Sequence, residues 1–287
     1  MIGVMDYLYS QFMSLYIASL NSGSNGNCYY IGNGKEAVLI DGGISCRETE
    51  KRMARLSLSL KNVRALFISH EHTDHIKGVE VIAKKHGLPV YITEKTLAGC
   101  RLMLPREQVR VFAANVPVAV GRLSVMPFAK VHDAADPHSF VIEGNGVCVG
   151  VFTDLGMACE NLVHHFNRCH AAFLEANYDS NMLEYGRYPV NLKNRIRGGK
   201  GHLSNEQALK LFRFHRSEKL SHLILAHLSE ENNNPELAAG IFAPHANGVN
   251  IAVASRFAET ALYHVVNNRA KEKDSITNPL ATQATLF

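Results

Sequence analysis

The stretch Ser69-His70-Glu71-His72-Thr73-Asp74-His75 constrains this chain more than any other. It sets three imidazoles and the Asp74 carboxylate in an H-x-H-x-D-H pattern behind an apolar run, Arg64-Ala65-Leu66-Phe67-Ile68, that reads as a buried strand. Groups of this kind cannot be buried side by side without a cation to hold them. Imidazole plus carboxylate is the ligand set expected for zinc or a related first-row divalent ion. A polar loop that happens to be rich in histidine is the bland alternative, and its placement behind a strand argues against it.

The 287 residues allow one large domain or two modest ones. A content of 46% hydrophobic and 20% charged residues is that of a globular protein rather than a disordered one. Cys28, Cys46, Cys100, Cys148, Cys159 and Cys169 form no tight CxxC pair. They read as reduced thiols, and the expected location is the cytoplasm. The segment Met1 to Leu20 is fairly apolar, but Asp6 and Gln11 interrupt it and it has no basic leader, so neither a signal peptide nor a membrane span is expected. The net charge of +4 permits polyanion binding without demanding it.

Short β-rich runs alternate with helical patterns. Strands are expected at 14–20, 27–32, 37–41, 64–69, 89–93, 109–112, 122–128, 138–143, 147–152, 171–175, 222–227 and 250–254. Helices are expected near 46–57, 76–87, 94–103, 157–166, 204–217, 235–242 and 257–265, the fifth opened by Ser204 and Gln207 at capping-box spacing. No repeat or internal linker breaks the series. The reading is an extension over 1–12, a single domain over 13–266, and a flexible polar tail over 267–287.

Three further polar residues stand at the ends of expected strands: His132 in Val131-His132-Asp133-Ala134, Asp154 in Thr153-Asp154-Leu155-Gly156, and His227 after Leu223-Ile224-Leu225-Ala226. Loops at the ends of strands gather in one place on an α/β scaffold. An H-x-H-x-D-H run, then a lone His, a lone Asp and a last His, resembles the ligand series of metallo-β-lactamase-fold hydrolases. The resemblance covers about residues 14–255 and implies a four-layer αββα sandwich of the α/β (α+β) class, with metals at one edge between two sheets. It implies His70, His72 and His132 on a first ion, Asp74, His75 and His227 on a second, and Asp154 bridging both. Zinc is the ion expected on purification, and manganese is a candidate activator. Two such ions about 3.5–4 Å apart can hold a hydroxide and clamp the entering and leaving oxygens of a displacement. His138 is a rival for His132. A Cys in place of Asp154 would mark a true β-lactamase, and a Glu in place of His72 the diiron branch; neither is present.

Glu175 lies in Phe173-Leu174-Glu175-Ala176-Asn177, and Gly201-His202-Leu203-Ser204-Asn205 precedes the last ligand by one helix and one strand. This order resembles ribonuclease Z and its phosphodiesterase relatives. It implies His202 as general acid to the leaving oxygen, Glu175 as its orienting partner, and Asp74 as a ligand that also steers the nucleophile. An alkoxide leaves poorly unless protonated, so a phosphodiester needs such an acid. Beside it, Lys193, Arg195, Arg197 and Lys200 fall within a glycine-loosened loop suited to phosphate contacts. The motifs S-G-S-N-G-N, H-E-H-T-D-H, T-D-L-G, E-A-N-x-D, G-H-L-S-N and A-H-L-S-E-x-N-N together resemble the YycJ/WalJ-like subgroup, which implies a DNA exonuclease. A cyclic ribose phosphate phosphodiesterase is the alternative, and a thioesterase or lactonase is a second. The chain ends Gln283-Ala284-Thr285-Leu286-Phe287, similar to the Q-x-x-L-F peptides with which bacterial DNA enzymes dock on the sliding clamp; Gln283, Leu286 and Phe287 would make that contact.

Overall fold

Two seven-stranded sheets face each other in the computed structural model, which describes residues 14–267. The first holds β1 (Ser14–Asn21), β2 (Cys28–Gly32), β3 (Ala37–Ile40), β4 (Val63–Phe67), β5 (Val90–Ile92) and β6 (Val109–Val111), with β14 (Tyr263–Val266) on the outer edge of β1. The second runs from β7 (Val118–Val120) through β8 (Leu123–Ala129), β9 (His138–Gly144), β10 (Val147–Phe152), β11 (Ala171–Glu175) and β12 (His222–Ala226) to β13 (Asn250–Val253). Both sheets are mixed. The β3–β4–β5–β6 and β10–β11–β12–β13 segments are parallel and the rest antiparallel.

Each sheet is apolar on both faces because each is covered twice. Ile17, Tyr29, Val38, Ile40 and Phe67 of the first meet Val125, Phe140, Ile142, Val149 and Phe173 of the second in the core between the sheets. Outside the first sheet, Leu39, Leu66 and Ile68 pack under α1 (Cys46–Arg55) and under α3 (Val79–His86), which follows the short α2 (Thr73–Ile76). Outside the second, Leu174, Leu223 and Leu225 pack under α5 (Glu160–Phe166), α8 (Asn205–His215) and α9 (Pro235–Phe242). The expected αββα sandwich is therefore present. Among the described residues no helix is long and apolar enough to cross a membrane.

The alternation of directions matters for function. β8 and β10 run the same way because β9 reverses between them, and β1 and β3 are related likewise through β2. The C-terminal ends of β1, β3, β4, β8, β10, β11 and β12 thus open on a common edge of the sandwich. Every candidate ligand lies there.

Several local expectations need correction. Residues 257–265 were expected as a helix, but Tyr263–Val266 forms β14, pairing with Ser14–Ile17. Val265 is buried in the inter-sheet core, and the otherwise unpaired edge of β1 gains a partner, which outweighs weak helical spacing. The helix expected at 76–87 breaks at Gly78, where a Cβ would stand 1.9 Å from the Ile44 carbonyl oxygen. The helix at 94–103 stops at Gly99, as α4 (Glu94–Gly99). β7 was not foreseen, nor α6 (Ser180–Tyr185). The expected basic loop is largely helical, as α7 (Val190–Arg197). The capping box of Ser204 and Gln207 forms as expected. The proposed extension 1–12 and the tail, apart from Asn267, lie outside the described residues, as do Gln283, Leu286 and Phe287.

Candidate metal centre

Three strands end in left-handed turns, at Asp41 (φ 61°), Asp154 (φ 55°) and His227 (φ 57°), and each swings a polar side chain into the edge between the sheets. Behind β4 the chain turns at Ser69-His70-Glu71 and enters α2, so His72, Asp74 and His75 leave one short turn together with His70. This turn is held by backbone contacts with the loops after β3 and before β2: Gly42 N–H donates to the His75 carbonyl and Asn27 N–H to the Asp74 carbonyl. A Cβ at Gly43 would fall 1.7 Å from the Asp74 carbonyl oxygen, so only glycine admits so close an approach.

The result is two trios of donors. His70, His72 and His132 bring ring nitrogens within 4.8 Å of one another, and an Asp74 carboxylate oxygen comes as close to ring nitrogens of His75 and His227. Asp154 stands between them, with Oδ2 3.3 Å from His75 Nε2 and Oδ1 3.9 Å from His132 Nε2. The seven residues expected as metal ligands are thus brought to one place. His138, the first residue of β9, is not among them; it packs edge-on against Phe112, and its Nδ1–H donates to the Asp136 carbonyl.

The Nδ1 of four of these histidines is engaged, which fixes each ring's orientation and turns its Nε2 inward. His75 Nδ1–H donates to Asp41 Oδ2 at 2.7 Å. Ser69 Oγ–H donates to the same carboxylate at 2.8 Å and in turn accepts from His70 Nδ1–H at 2.9 Å. His132 Nδ1–H donates to the Gly201 carbonyl at 3.0 Å, and His227 Nδ1–H donates to Glu175 at 2.9 Å. What remains inside is unsatisfied: His132 Nε2, Asp154 Oδ2 and His227 Nε2 are buried with no hydrogen-bond partner. Orphaned buried donors and acceptors are rare, and these three, spread over the two trios and Asp154 between them, fit divalent cations.

Electrostatics point the same way. Asp41, Asp154 and Glu175 are fully or almost fully buried, Asp74 lines the opening, and the buried cation nearby is Lys130, whose Nζ donates to the Thr153 carbonyl at 2.8 Å. Burial pushes His132 down to about 4 and, with His75 beside it, holds His70 well below the usual imidazole range. Both are therefore neutral, the ligating form. Burial also opposes charge on His227, but Asp154, Asp74 and Glu175 outweigh it and raise the imidazole to about 10. A site that pulls protons so strongly onto a histidine is short of positive charge, and divalent cations fit that deficit.

Next to the trios, Glu175 at the end of β11 accepts five hydrogen bonds. Its Oε1 takes His202 Nδ1–H at 2.8 Å, His227 Nδ1–H and Asp154 N–H, and its Oε2 takes Leu155 N–H and Leu203 N–H. Burial alone would raise this carboxyl; the two imidazoles outweigh it and bring it to about 2. His202 is the less buried of the pair and faces an open cleft of about 430 Å³, lined also by His72, Asp74, Asp154, His227 and Arg195. Of the four basic residues expected at the site, Arg195 lines the cleft, its Nε donating to Asp133 Oδ2 beside His132. Lys193 Nζ donates to the Glu184 carbonyl and Arg197 pairs with the Glu184 carboxylate. α7 explains this sorting, since residues two apart on a helix face different ways. Lys200 stands outside the helix, its backbone against Gly156.

The beta-lactamase superfamily domain matches residues 36–227, two thirds of the chain, from the start of β3 to His227 itself. The chain belongs to the beta-lactamase superfamily. This superfamily member is a metal-dependent hydrolase. It is 35% identical to exodeoxyribonuclease YycJ of Bacillus anthracis over 79% of this chain and 87% of that one. It is 31% identical to exodeoxyribonuclease WalJ of Streptococcus pneumoniae over 76% and 83%. In structure it resembles the metallo-beta-lactamase fold protein YhfI of Bacillus subtilis with a TM-score of 0.67, at 12% identity, over 87% of this chain and 98% of that one.

Sequence reasoning did not single out Asp41, Asn27 or Lys130, and Ser69 entered it only as the residue before His70. In the structure Asp41 orients His75 and, through Ser69, His70; Asn27 Nδ2 donates to Asp74 Oδ2 at 3.1 Å. The available signal was a carboxylate closing an otherwise apolar strand in Leu39-Ile40-Asp41-Gly42-Gly43. Lys130 carried none, because its role depends on a carbonyl 23 positions away.

Proposed function

We propose that this superfamily member is a dinuclear metal-dependent phosphodiesterase that degrades DNA as an exonuclease. The observation that carries the reading is the Glu175–His202 pair at the mouth of the cleft, beside the two donor trios. His70, His72 and His132 would hold one divalent ion and Asp74, His75 and His227 another, with Asp154 shared. When bound, zinc or manganese would supply an activated water nucleophile at neutral pH and stabilise charge on the transferring phosphoryl group.

The remaining work falls to side chains. Glu175 fixes a proton on His202 Nδ1 and turns Nε2 toward the cleft, the atom from which a proton would be given to the leaving oxygen. Asp74, held by Asn27, is placed to orient the attacking water. Arg195 offers a guanidinium to a non-bridging phosphate oxygen or to the next phosphate of the strand. A DNA substrate is supported by the names of the two relatives, both exodeoxyribonucleases, at 35% and 31% identity. The terminal Gln283, Leu286 and Phe287 would tether the enzyme to a sliding clamp; deletion of 283–287 should abolish clamp pull-down and spare hydrolysis, and unchanged pull-down would end the idea.

Metal-repleted protein should shorten end-labelled duplex DNA progressively from an end, and faster than RNA of matched length. Hydrolysis of cyclic ribose phosphates without any action on duplex ends would move the function to a small-molecule phosphodiesterase. Turnover of thioesters or lactones alone would exclude phosphoryl chemistry.

A further inference from the structure

Away from the cleft, on the helical layer outside the first sheet, Cys46, Glu50 and His86 converge. Cys46 is the first residue of α1 and Glu50 follows one turn later on the same face, while His86 is the last residue of α3. Cys46 Sγ lies 3.7 Å from Glu50 Oε1 and 3.9 Å from His86 Nε2, and the last two atoms are 2.9 Å apart. Metal–ligand bonds of about 2.0–2.3 Å in a tetrahedral site put pairs of ligand atoms roughly 3.3–3.6 Å apart. The three observed separations bracket that range, so closure around an ion needs only side-chain adjustments of a few tenths of an ångström. The thiol is buried and the carboxylate and imidazole are partly exposed, which leaves one side open for a solvent ligand.

We infer that Cys46, Glu50 and His86 form a third, mononuclear metal site for a zinc-class divalent cation. Thiolate, imidazole and carboxylate together match zinc's preference for mixed S, N and O donors better than calcium's or magnesium's for oxygen alone. On binding, the thiol proton goes to solvent, the His86 ring takes the tautomer with its proton on Nδ1 so that Nε2 can ligate, and three metal–ligand bonds form. Lys85, whose exposed ammonium pairs with Glu50 Oε1 at 2.7 Å, gives up that position and returns to water, a small loss for a surface pair. The site is structural in consequence. It ties α1 to α3, the helices flanking the loop 41–45 that rests against α2 and the candidate centre.

No cysteine lines the cleft, so a thiolate signal is independent of the nuclease reading, and its loss in Cys46→Ser distinguishes this site from the other five free cysteines. Full-length protein stripped of metal should be titrated with cobalt(II) under anaerobic reducing conditions. The expected result is a near-ultraviolet thiolate-to-cobalt charge-transfer band accompanied by one bound ion beyond those held at the cleft. Cys46→Ser and His86→Asn should each lose the band and one ion while keeping hydrolytic activity. Two variants guard against a folding defect peculiar to either. Absence of the band at cobalt saturation, or its survival in Cys46→Ser, would overturn the site and leave an ordinary hydrogen-bonded cluster.

Discussion

Glu175 Oε1 sits 2.8 Å from Nδ1 of His202 and 2.9 Å from Nδ1 of His227, so one buried oxygen orients both the proposed acid and a proposed metal ligand. The two histidines can be separated by mutation. His202→Ala should slow turnover by about 10²–10⁴-fold with metal content unchanged by elemental analysis. Asp154→Ala, by contrast, should lose at least one ion along with activity. Normal turnover in His202→Ala would remove it from the mechanism.

Asp41 touches no part of the cleft, yet His75 and, through Ser69, His70 take their orientation from it. Asp41→Asn keeps the shape and removes the charge. Metal affinity should fall by about 10–100-fold, measured by competition with a chelating indicator. Affinity within twofold of wild type would mean that Ser69 and the backbone suffice.

The helix that carries the basic residues predicts an asymmetry among them. Arg195→Ala should weaken duplex binding and make the slope of log affinity against log salt shallower by about one. Lys193→Ala should leave both nearly unchanged, because its ammonium is engaged at the Glu184 carbonyl. Binding titrations over a salt series distinguish the two, and equal effects would contradict the sorting by α7.

His165 predicts part of the acid sensitivity of folding. Buried beside Phe128, with ring centroids 4.2 Å apart, it is pushed by burial from 6.5 down to about 4. Between those values the unfolded chain binds a proton there and the folded one does not, so this contribution destabilises the fold as pH falls from about 6.5 to 4 and is flat above. His165→Phe should therefore flatten the dependence of Tm on pH across that window. An identical slope in both proteins, by calorimetry, would refute the assignment.

The candidate centre was legible because its ligands announce themselves at strand ends. His70 to His75, His132, Asp154 and His227 are polar residues where an apolar run stops, a one-dimensional pattern. Their supports were less so. Asp41 and Asn27 sit in turn-like stretches and show their role only where the sheets bring them beside His75 and Asp74, and Lys130 needs Thr153. In the fold, strands with two covered faces were plain from continuous apolar runs. β14 was misread because Leu262, Tyr263 and Val265 are compatible with either period, and only the open edge of β1 decides between them. The basic residues of α7 were read as loop because Gly198 and Gly199, just past its end, looked like looseness rather than a stop.

The left-handed backbone at Asp41, Asp154 and His227 sets a trade-off. Each such residue costs about 1 kcal/mol or more relative to relaxed torsions, and a glycine there would shed the strain. Selection for heat resistance alone would thus favour erasing these three side chains, and with them the cation pocket. On the proposed function, these three strained turns trade stability for the aim of the side chains at the sandwich's edge.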